Sequence, residues 1–329
     1  MQACRADARW KEKNVIQTEE STEKFNLYEP RSFHSSGTVF PALPRYCLLD
    51  PTGNITILAG LPVGPEQRND LPGIAASLME KEPSAEQVGF LGPGDGNCDL
   101  SLTMAGGEFC GNATMSAAAV FLASREPAEA FNCGADTVTV RVSGAEQPVM
   151  VELRRISGLP CGASAAASSG SAAEAVSYEG TVRMPPALSV TEESLSLDGQ
   201  TFLLPVVRFQ GIAHIITEAP MEKTFAERAV VKWCGELQTD ALGIMQIGRV
   251  SSAFSLLPLV YVRAADTLYW ESSCASGTAA AGAYLSRKRG TDICLSFREP
   301  AGALTVRAQR SGALYLTGTV RILKYFCAE

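Results

Sequence analysis

Two similar stretches decide the fold: Gly107–Thr114 (GEFCGNAT), followed by MSAAAVFL, and Glu271–Thr278 (ESSCASGT), followed by AAAGAYL. In each stretch a cysteine stands among small residues and a threonine follows it by four positions. Alanine-rich runs of this kind predict helices, here from Asn112 to Ser124 and from about Ser276 to Arg287. Both cysteines, Cys110 and Cys274, are therefore placed at helix entries, and the repeat indicates a duplicated unit.

The position of these cysteines has a chemical meaning. A thiol has an ordinary pKa of about 8.5, and the unpaired N–H groups and dipole at a helix N-terminus favour the thiolate. The same N–H groups bind anions such as an α-carboxylate. If the two halves face each other, Cys110 and Cys274 lie on opposite faces of a bound α-carbon, which suits inversion by two bases. No phosphate loop or dinucleotide motif is present, so we expect no cofactor and electrostatic stabilisation of the carbanion.

Composition excludes several other classes. The chain has 329 residues, a net charge of −7, 46% hydrophobic and 19% charged residues, as in a soluble globular protein. Positive residues cluster only at Arg287–Arg289, which argues against nucleic acid as a partner. No apolar run reaches the roughly 18–20 residues that span a bilayer, and the N-terminus lacks a secretory signal, so we expect no membrane partner and a cytoplasmic location.

The ten cysteines form no CxxC pair and only two histidines accompany them, so zinc spacing is absent and no metal is expected. Most of the thiols, including Cys47, Cys98 and Cys294, are interpreted as structural residues. A Cys–His hydrolase would require His34 or His214 as the partner of a reactive cysteine. No familiar hydrolase signature surrounds Cys110 or Cys274.

The chain is predicted to be of the α/β (α+β) class, with two pseudo-symmetric domains that each wrap a sheet around a central helix. Residues 1–40 are predicted to be an N-terminal extension, 41–184 the first domain with a flexible insertion at 157–177, and 185–317 the second domain. Residues 318–329 are predicted to return to the first domain. Alternating or apolar runs predict further elements, namely strands 45–49, 55–58, 100–104, 137–142, 149–153, 203–209, 212–217, 245–250, 259–262, 293–297, 304–308 and 320–323, and a helix at 223–233.

Cys110-Gly111-Asn112 and Cys274-Ala275-Ser276-Gly277 resemble the two active-site motifs of the diaminopimelate epimerases, whose architecture the proline racemases share. The resemblance extends over about residues 45–325 and implies a cofactor-independent racemase or epimerase that acts on a small-molecule amino acid. It also covers the segments GN (53–54), GIAH (211–214), GIMQI (243–247) and LTG (316–318). A homodimer is left open.

The resemblance carries over to individual residues. Cys110 and Cys274 would be the catalytic pair. The substrate-binding residues would be Asn54, Gly111, Asn112, Ala275 and Ser276. His214, Asp266 and Glu271 would be supporting residues, although His214 and Asp266 are equally well explained as a structural histidine and a turn residue.

The sequence departs from diaminopimelate epimerases where those enzymes hold the second amino-acid centre of their substrate. Four of their polar residues correspond here to Met104, Ile212, Ala241 and Thr267. A second carboxylate and ammonium group would be left desolvated and unpaired, at a cost of several kcal/mol. Diaminopimelate epimerase is therefore the weaker alternative.

The phrases GGEFCGNAT and ESSCASGT are more similar to a divergent branch that includes the histidine racemases of opine-metallophore pathways. Histidine, or another amino acid with a single stereocentre, is the predicted substrate. An isomerase that resembles the phenazine-biosynthesis enzymes, and a non-catalytic amino-acid-binding protein, are further alternatives. Both are disfavoured because the chain has both cysteines.

Overall fold

The computed structural model describes residues 45–62, 69–125, 134–156, 176–250, 253–264 and 266–327. The predicted extension at 1–40 lies outside the described residues, as does 157–175 of the predicted insertion. Ser177, the last residue of that predicted insertion, is buried and is the first residue of a strand. The insertion as predicted thus extends one residue into regular structure.

Eight strands of the first half close into a barrel. In sheet order they are β1 Tyr46–Pro51, β2 Thr56–Gly60, β3 Gln87–Pro93, β4 Leu100–Met104, β5 Ala135–Val142, β6 Val149–Ile156, β7 Ser177–Met184 and β16 Leu314–Cys327. The barrel closes because β16 pairs with β7 on one side and with β1 on the other. Helix α1, Leu71–Lys81, packs outside against β3.

Helix α2, Gly111–Arg125, passes through this barrel and contacts all eight of its strands. Its first ten residues, from Gly111 to Val120, are buried on every side. A helix enclosed by a closed sheet has little room for large side chains, which is why its sequence is rich in alanine. The predicted arrangement of a sheet around a central helix is confirmed.

The second half repeats the arrangement around helix α4, Ala275–Arg289. Its strands are β8 Ser189–Leu197, β9 Gln200–Phe209, β10 Ile212–Thr217, β11 Ala241–Val250, β12 Ala253–Val262, β13 Thr267–Trp270, β14 Ile293–Glu299 and β15 Gly302–Ala308. The sheet continues from β16 in the order β15-β14-β12-β11-β10-β9-β8, and β13 pairs with β12. Helix α3, Lys223–Glu236, packs on the outer face with Trp233 fully buried.

The predicted class, α/β (α+β) with two pseudo-symmetric halves, is therefore confirmed. The domain limits at 41, 185 and 318 stay predictions, and β16 begins before the last of them and pairs with strands of both halves. Cys294 is exposed, unlike the buried Cys47 and Cys98. Among the described residues, no helix combines the length and the apolar character required to cross a bilayer.

One prediction concerns two helical glycines. A Cβ on Gly282 in α4 would lie 2.6 Å from Cγ2 of Val306, whereas a Cβ on Gly235 in α3 would meet open space. Alanine is favoured over glycine in helices by about 0.5–1 kcal/mol. We expect Gly235→Ala to raise the free energy of unfolding by about that amount, and Gly282→Ala to lower it by about 1–3 kcal/mol through overpacking. Urea unfolding of both variants tests this, and an equal gain in both would contradict the enclosed position of α4.

Candidate active site

A cavity of about 580 Å³ lies between the two halves, and both Cys110 and Cys274 line it. The first residues of both central helices also line it, namely Asn112 from α2 and Ala275 and Ser276 from α4. Two further residues singled out from the sequence, Asn54 and Glu271, complete this part of the wall. The structure thus brings together most of the predicted site.

The N-termini of α2 and α4 are in direct contact. A Cβ on Gly111 would lie 2.8 Å from Cβ of Ala275, so glycine is what allows the two helices to approach so closely. Asn112 donates from Nδ2 to the carbonyl oxygen and to Oγ of Ser273, at 3.1 and 3.3 Å. Gly111 and Asn112 therefore fix the two cysteine-bearing segments relative to each other.

Each sulfur caps its own helix in the same way. The N–H of Ala113 donates to Sγ of Cys110 at 3.4 Å, and the N–H of Gly277 donates to Sγ of Cys274 at 3.3 Å. The carbonyl of each cysteine accepts the first helical hydrogen bond, from the threonine four residues on. The repeat seen in the sequence is therefore a repeat in geometry.

The two thiols differ in their side-chain partners. The Cys110 thiol donates to Oε1 of Gln87 at 2.9 Å, whereas the Cys274 thiol hydrogen-bonds with Glu271. An amide cannot take up a proton at neutral pH, but a carboxylate can. Chemically, the pair is not symmetric.

Asn54 acts on Cys110 through Gln87. Nε2 of Gln87 donates to Oδ1 of Asn54, and also to Oγ1 of Thr56 at 2.8 Å. Asn54 in turn donates from Nδ2 to Oε2 of Glu86 at 2.9 Å, and that oxygen also accepts from the N–H of Ser272 at 3.0 Å. This chain fixes the amide orientation of Gln87 so that its oxygen faces the thiol.

Both cysteine pKa values are raised, which is opposite to the expectation from the helix termini alone. Burial raises the pKa of Cys110 to about 12, with smaller contributions from the charges of Glu271 and Glu108, against the helical N–H of Ala113. Burial and the adjacent Glu271 also raise the pKa of Cys274 well above its usual range. Desolvation and negative charge outweigh the helix dipole here, so both cysteines are thiols at neutral pH.

The cavity is acidic, and burial is the main cause of its perturbed carboxyl pKa values. Burial raises the pKa of Glu271 to about 8 and also raises those of Glu86 and Glu108. Glu299, whose pKa burial raises to about 8, accepts from the N–H of Cys274 at 2.6 Å and the hydroxyl of Thr278 at 2.6 Å. It anchors the start of α4 to β14.

His214 and Asp266 do not line the cavity. His214 is fully buried, its ring lies edge-on to Phe209 at 6.1 Å, and burial lowers its pKa to about 3. A Cβ on Gly243 would lie 2.3 Å from its Nδ1. Asp266 has a positive φ of 48° and accepts from the hydroxyl of Tyr261 at 3.0 Å. Both ring nitrogens of His214 are buried without a hydrogen-bond partner among the described residues, so its role stays a prediction. The contacts of Asp266 fit a turn residue.

Among the cavity residues that sequence reasoning missed are Glu86, Gln87 and Glu108. Glu108 stands two residues before Cys110 inside the first motif, so its position could have identified it. Gln87 begins an apolar strand and Glu86 directly precedes it, and neither belongs to a motif. Across the described ranges, no group of three or more His, Cys, Asp or Glu side chains is placed to hold a metal ion.

Several solved structures share this fold. The hydroxyproline epimerase from Agrobacterium vitis matches with a TM-score of 0.58 and 14% identity over 85% of this chain and 90% of its own. The probable proline racemase from Agrobacterium radiobacter K84 matches with a TM-score of 0.57 and 14% identity over 87% of this chain and 92% of its own. The fold is thus shared with amino-acid racemases and epimerases of the proline racemase type.

Sequence relatives narrow this class. The histidine racemase of Fusobacterium nucleatum (strain ATCC 23726) is 29% identical over 289 residues, which are 84% of this chain and 93% of the relative. The histidine racemase of Staphylococcus aureus (strain Mu50) is 27% identical over 271 residues, which are 79% of this chain and 87% of the relative. Residues 45–324 match the family described as the histidine racemase CntK N-terminal domain. The chain belongs to this family and is an amino-acid racemase.

The raised pKa of Glu271 predicts a pH-dependent stability. A carboxyl whose pKa moves from 4.5 to about 8 on folding contributes stability below its unfolded pKa and loses it as the pH rises through 8. Glu271→Gln cannot ionise, so its melting temperature relative to wild type should be higher at about pH 8.5 than at about pH 5, by at least about 2 °C. The exposed Glu152→Gln serves as the control. A Glu271→Gln difference that is constant with pH would show that Glu271 is not buried as a neutral acid.

Proposed function

We propose that the chain racemises histidine without a cofactor, with Cys110 and Cys274 as the two bases. The observation that supports this best is that both thiols line one cavity, each at the N-terminus of a central helix. A base on one face of the α-carbon and an acid on the other are what inversion requires. Histidine is proposed because family members carry that activity in their names.

The α-carboxylate would bind between the helix ends. In each helix, the first N–H group that has an acceptor within the helix segment is that of Ala113 or Gly277, which donates to the cysteine sulfur. The preceding N–H groups have no acceptor within their helices and are available to an anion. They belong to the four predicted residues Gly111, Asn112, Ala275 and Ser276. Of these, Asn112, Ala275 and Ser276 line the cavity. Donors that reach the carboxylate would also stabilise the charge that develops when the α-proton leaves.

The acidic wall suits the α-ammonium group. Glu86 is linked to Cys110 through Asn54 and Gln87. Glu271 hydrogen-bonds with Cys274 directly. A cation placed here would lower the pKa of both thiols, because it compensates the negative charges that raise them. Substrate binding would thus favour the thiolate that the unliganded protein disfavours. The same cation would also lower the pKa of Glu271, and the ionised carboxylate would then be placed to take the proton from Cys274.

The reaction then needs two proton transfers. The thiolate on one face removes the α-proton and becomes a thiol. The thiol on the opposite face donates its proton to the carbanion and becomes the thiolate. The product has the inverted centre, and the site differs from its starting state only in which sulfur carries the proton. Exchange with solvent restores it.

Two of the four positions that distinguish this chain from diaminopimelate epimerases line the cavity, Ile212 and Thr267. The other two, Met104 and Ala241, are buried in the core. An apolar and a hydroxyl side chain offer no charge partner for a second carboxylate. This supports a substrate with one stereocentre over diaminopimelate. A cytoplasmic location and a homodimer stay predictions.

The activity itself is tested in D₂O. Protein incubated with L-histidine should cause loss of the α-proton NMR signal and formation of D-histidine, separable by chiral chromatography. Both should persist in the presence of EDTA and hydroxylamine, because the proposed chemistry uses neither a metal nor an imine. Exchange of another amino acid but not histidine would contradict the proposed substrate. Exchange of no amino acid would contradict catalysis.

Replacement of each thiol tests the two-base mechanism. Cys110→Ala and Cys274→Ala should each lower kcat for racemisation by at least about 10³-fold, and serine should not rescue because a hydroxyl is a far weaker base. A β-chloro amino acid needs abstraction alone, since loss of chloride replaces reprotonation. Each variant should therefore process one enantiomer of such a compound, and the two variants should prefer opposite enantiomers.

The matched control is Cys294→Ala, which removes an exposed thiol and should leave racemisation unchanged. Racemisation near the wild-type rate in both Cys110→Ala and Cys274→Ala would show that the cysteines are structural. The same enantiomer preference in both variants would exclude thiols on opposite faces.

A further inference from the structure

One carboxylate in the cavity has a buried oxygen that nothing in the described part of the chain satisfies. Oε2 of Glu108 is buried without a hydrogen-bond partner, although Glu108 lines the cavity. The carboxylate hydrogen-bonds with the backbone of Gly106 and of Glu108 itself, which holds it in place. A buried acceptor left unpaired costs about 1–3 kcal/mol, so its retention in a substrate cavity calls for a donor from the substrate.

The other two cavity carboxylates near the thiols already have partners. Glu86 accepts from Asn54 and from the backbone of Ser272, and Glu271 hydrogen-bonds with Cys274. Their hydrogen-bonding partners lie within the protein. Glu108 is the carboxylate near the thiols with an acceptor oxygen left for the substrate.

The surroundings of Glu108 fit a flat ring. Val260, Val262 and Ile212 provide apolar wall in the same cavity. A Cβ on Gly106 would lie 2.6 Å from Oε2 of Glu108 and 2.7 Å from Cγ1 of Val262, so the carboxylate oxygen and the valine lie side by side around this glycine. An apolar surface next to one strong acceptor matches an aromatic ring that carries an N–H.

We infer that Glu108 is the residue that determines side-chain specificity, by accepting a hydrogen bond from the ring N–H of the imidazole of the substrate. This inference rests on the proposed histidine activity and adds the residue that selects for it. A site built to hydrogen-bond a substrate N–H discriminates strongly against an analogue without it, because its own polar group then stays unpaired. The thiols would act equally on either substrate.

The test compares L-histidine with 3-(2-thienyl)-L-alanine, whose ring has similar size and no N–H. The quantity measured is the ratio of kcat/KM for the two substrates, which does not depend on the fraction of folded protein. If turnover of the thienyl compound is below detection, its inhibition constant against histidine replaces its kcat/KM. Glu108→Leu should lower the ratio of kcat/KM for histidine to kcat/KM for the thienyl compound by roughly 10- to 100-fold, as expected for loss of a hydrogen bond to a charged group.

Gly106→Ala is the second variant, because its Cβ displaces the carboxylate while leaving its charge in the protein. It should lower the same ratio in the same direction. Glu152→Leu, which removes an exposed carboxylate elsewhere, should leave the ratio unchanged. Wild-type protein that does not act on histidine would overturn the proposed substrate and this inference together. Wild-type protein active on histidine, with a ratio within about twofold in Glu108→Leu, would overturn the inference alone.

Discussion

The contact between the N-termini of α2 and α4 is the constraint on which the rest of the structure depends. The positive ends of two helices repel each other when they meet, and hydrogen-bond acceptors beside them offset that repulsion. Here Gly111 and Ala275 are small enough for the contact, and the cavity beside it contains sulfur atoms and carboxylates. The closed barrel around α2 and the sheet around α4 hold the ends in this position, since each helix contacts at least seven surrounding strands.

The same constraint explains why much of the site, but not all of it, could be predicted. The repeat of a cysteine at a helix entry identified both thiols, and the small residues after them identified the helix ends. Helices α2 and α4 were predicted correctly because an alanine-rich run has a high helix propensity. Helix α1 was missed since its first turn contains Pro72 and Gly73, and its start depends on the cap by Asp70.

Strand β8 was missed because its alternation is weak and most of it is only half-buried or exposed. The pKa values of the thiols could not be predicted from helix position, because burial and the charges of nearby buried carboxyl groups such as Glu271 depend on how the chain is packed. Gln87 illustrates the limit. It lies 23 residues before Cys110 in sequence, and only the parallel pairing of β2 and β3 places it beside Asn54 and that thiol.

Asymmetry within this pseudo-symmetric site follows from the same geometry. The backbone contacts of Cys110 and Cys274 are equivalent, yet one thiol faces an amide and the other a carboxylate that burial keeps protonated more readily than usual. If both thiols faced an amide, the site would hold no proton acceptor. If both faced a carboxylate, it would hold two competing negative charges. In the proposed mechanism, once substrate binding has ionised Glu271, a single proton moves from Cys274 to Glu271 while Cys110 keeps its own. The site then contains one base and one acid, which is the state that inversion of a single centre requires.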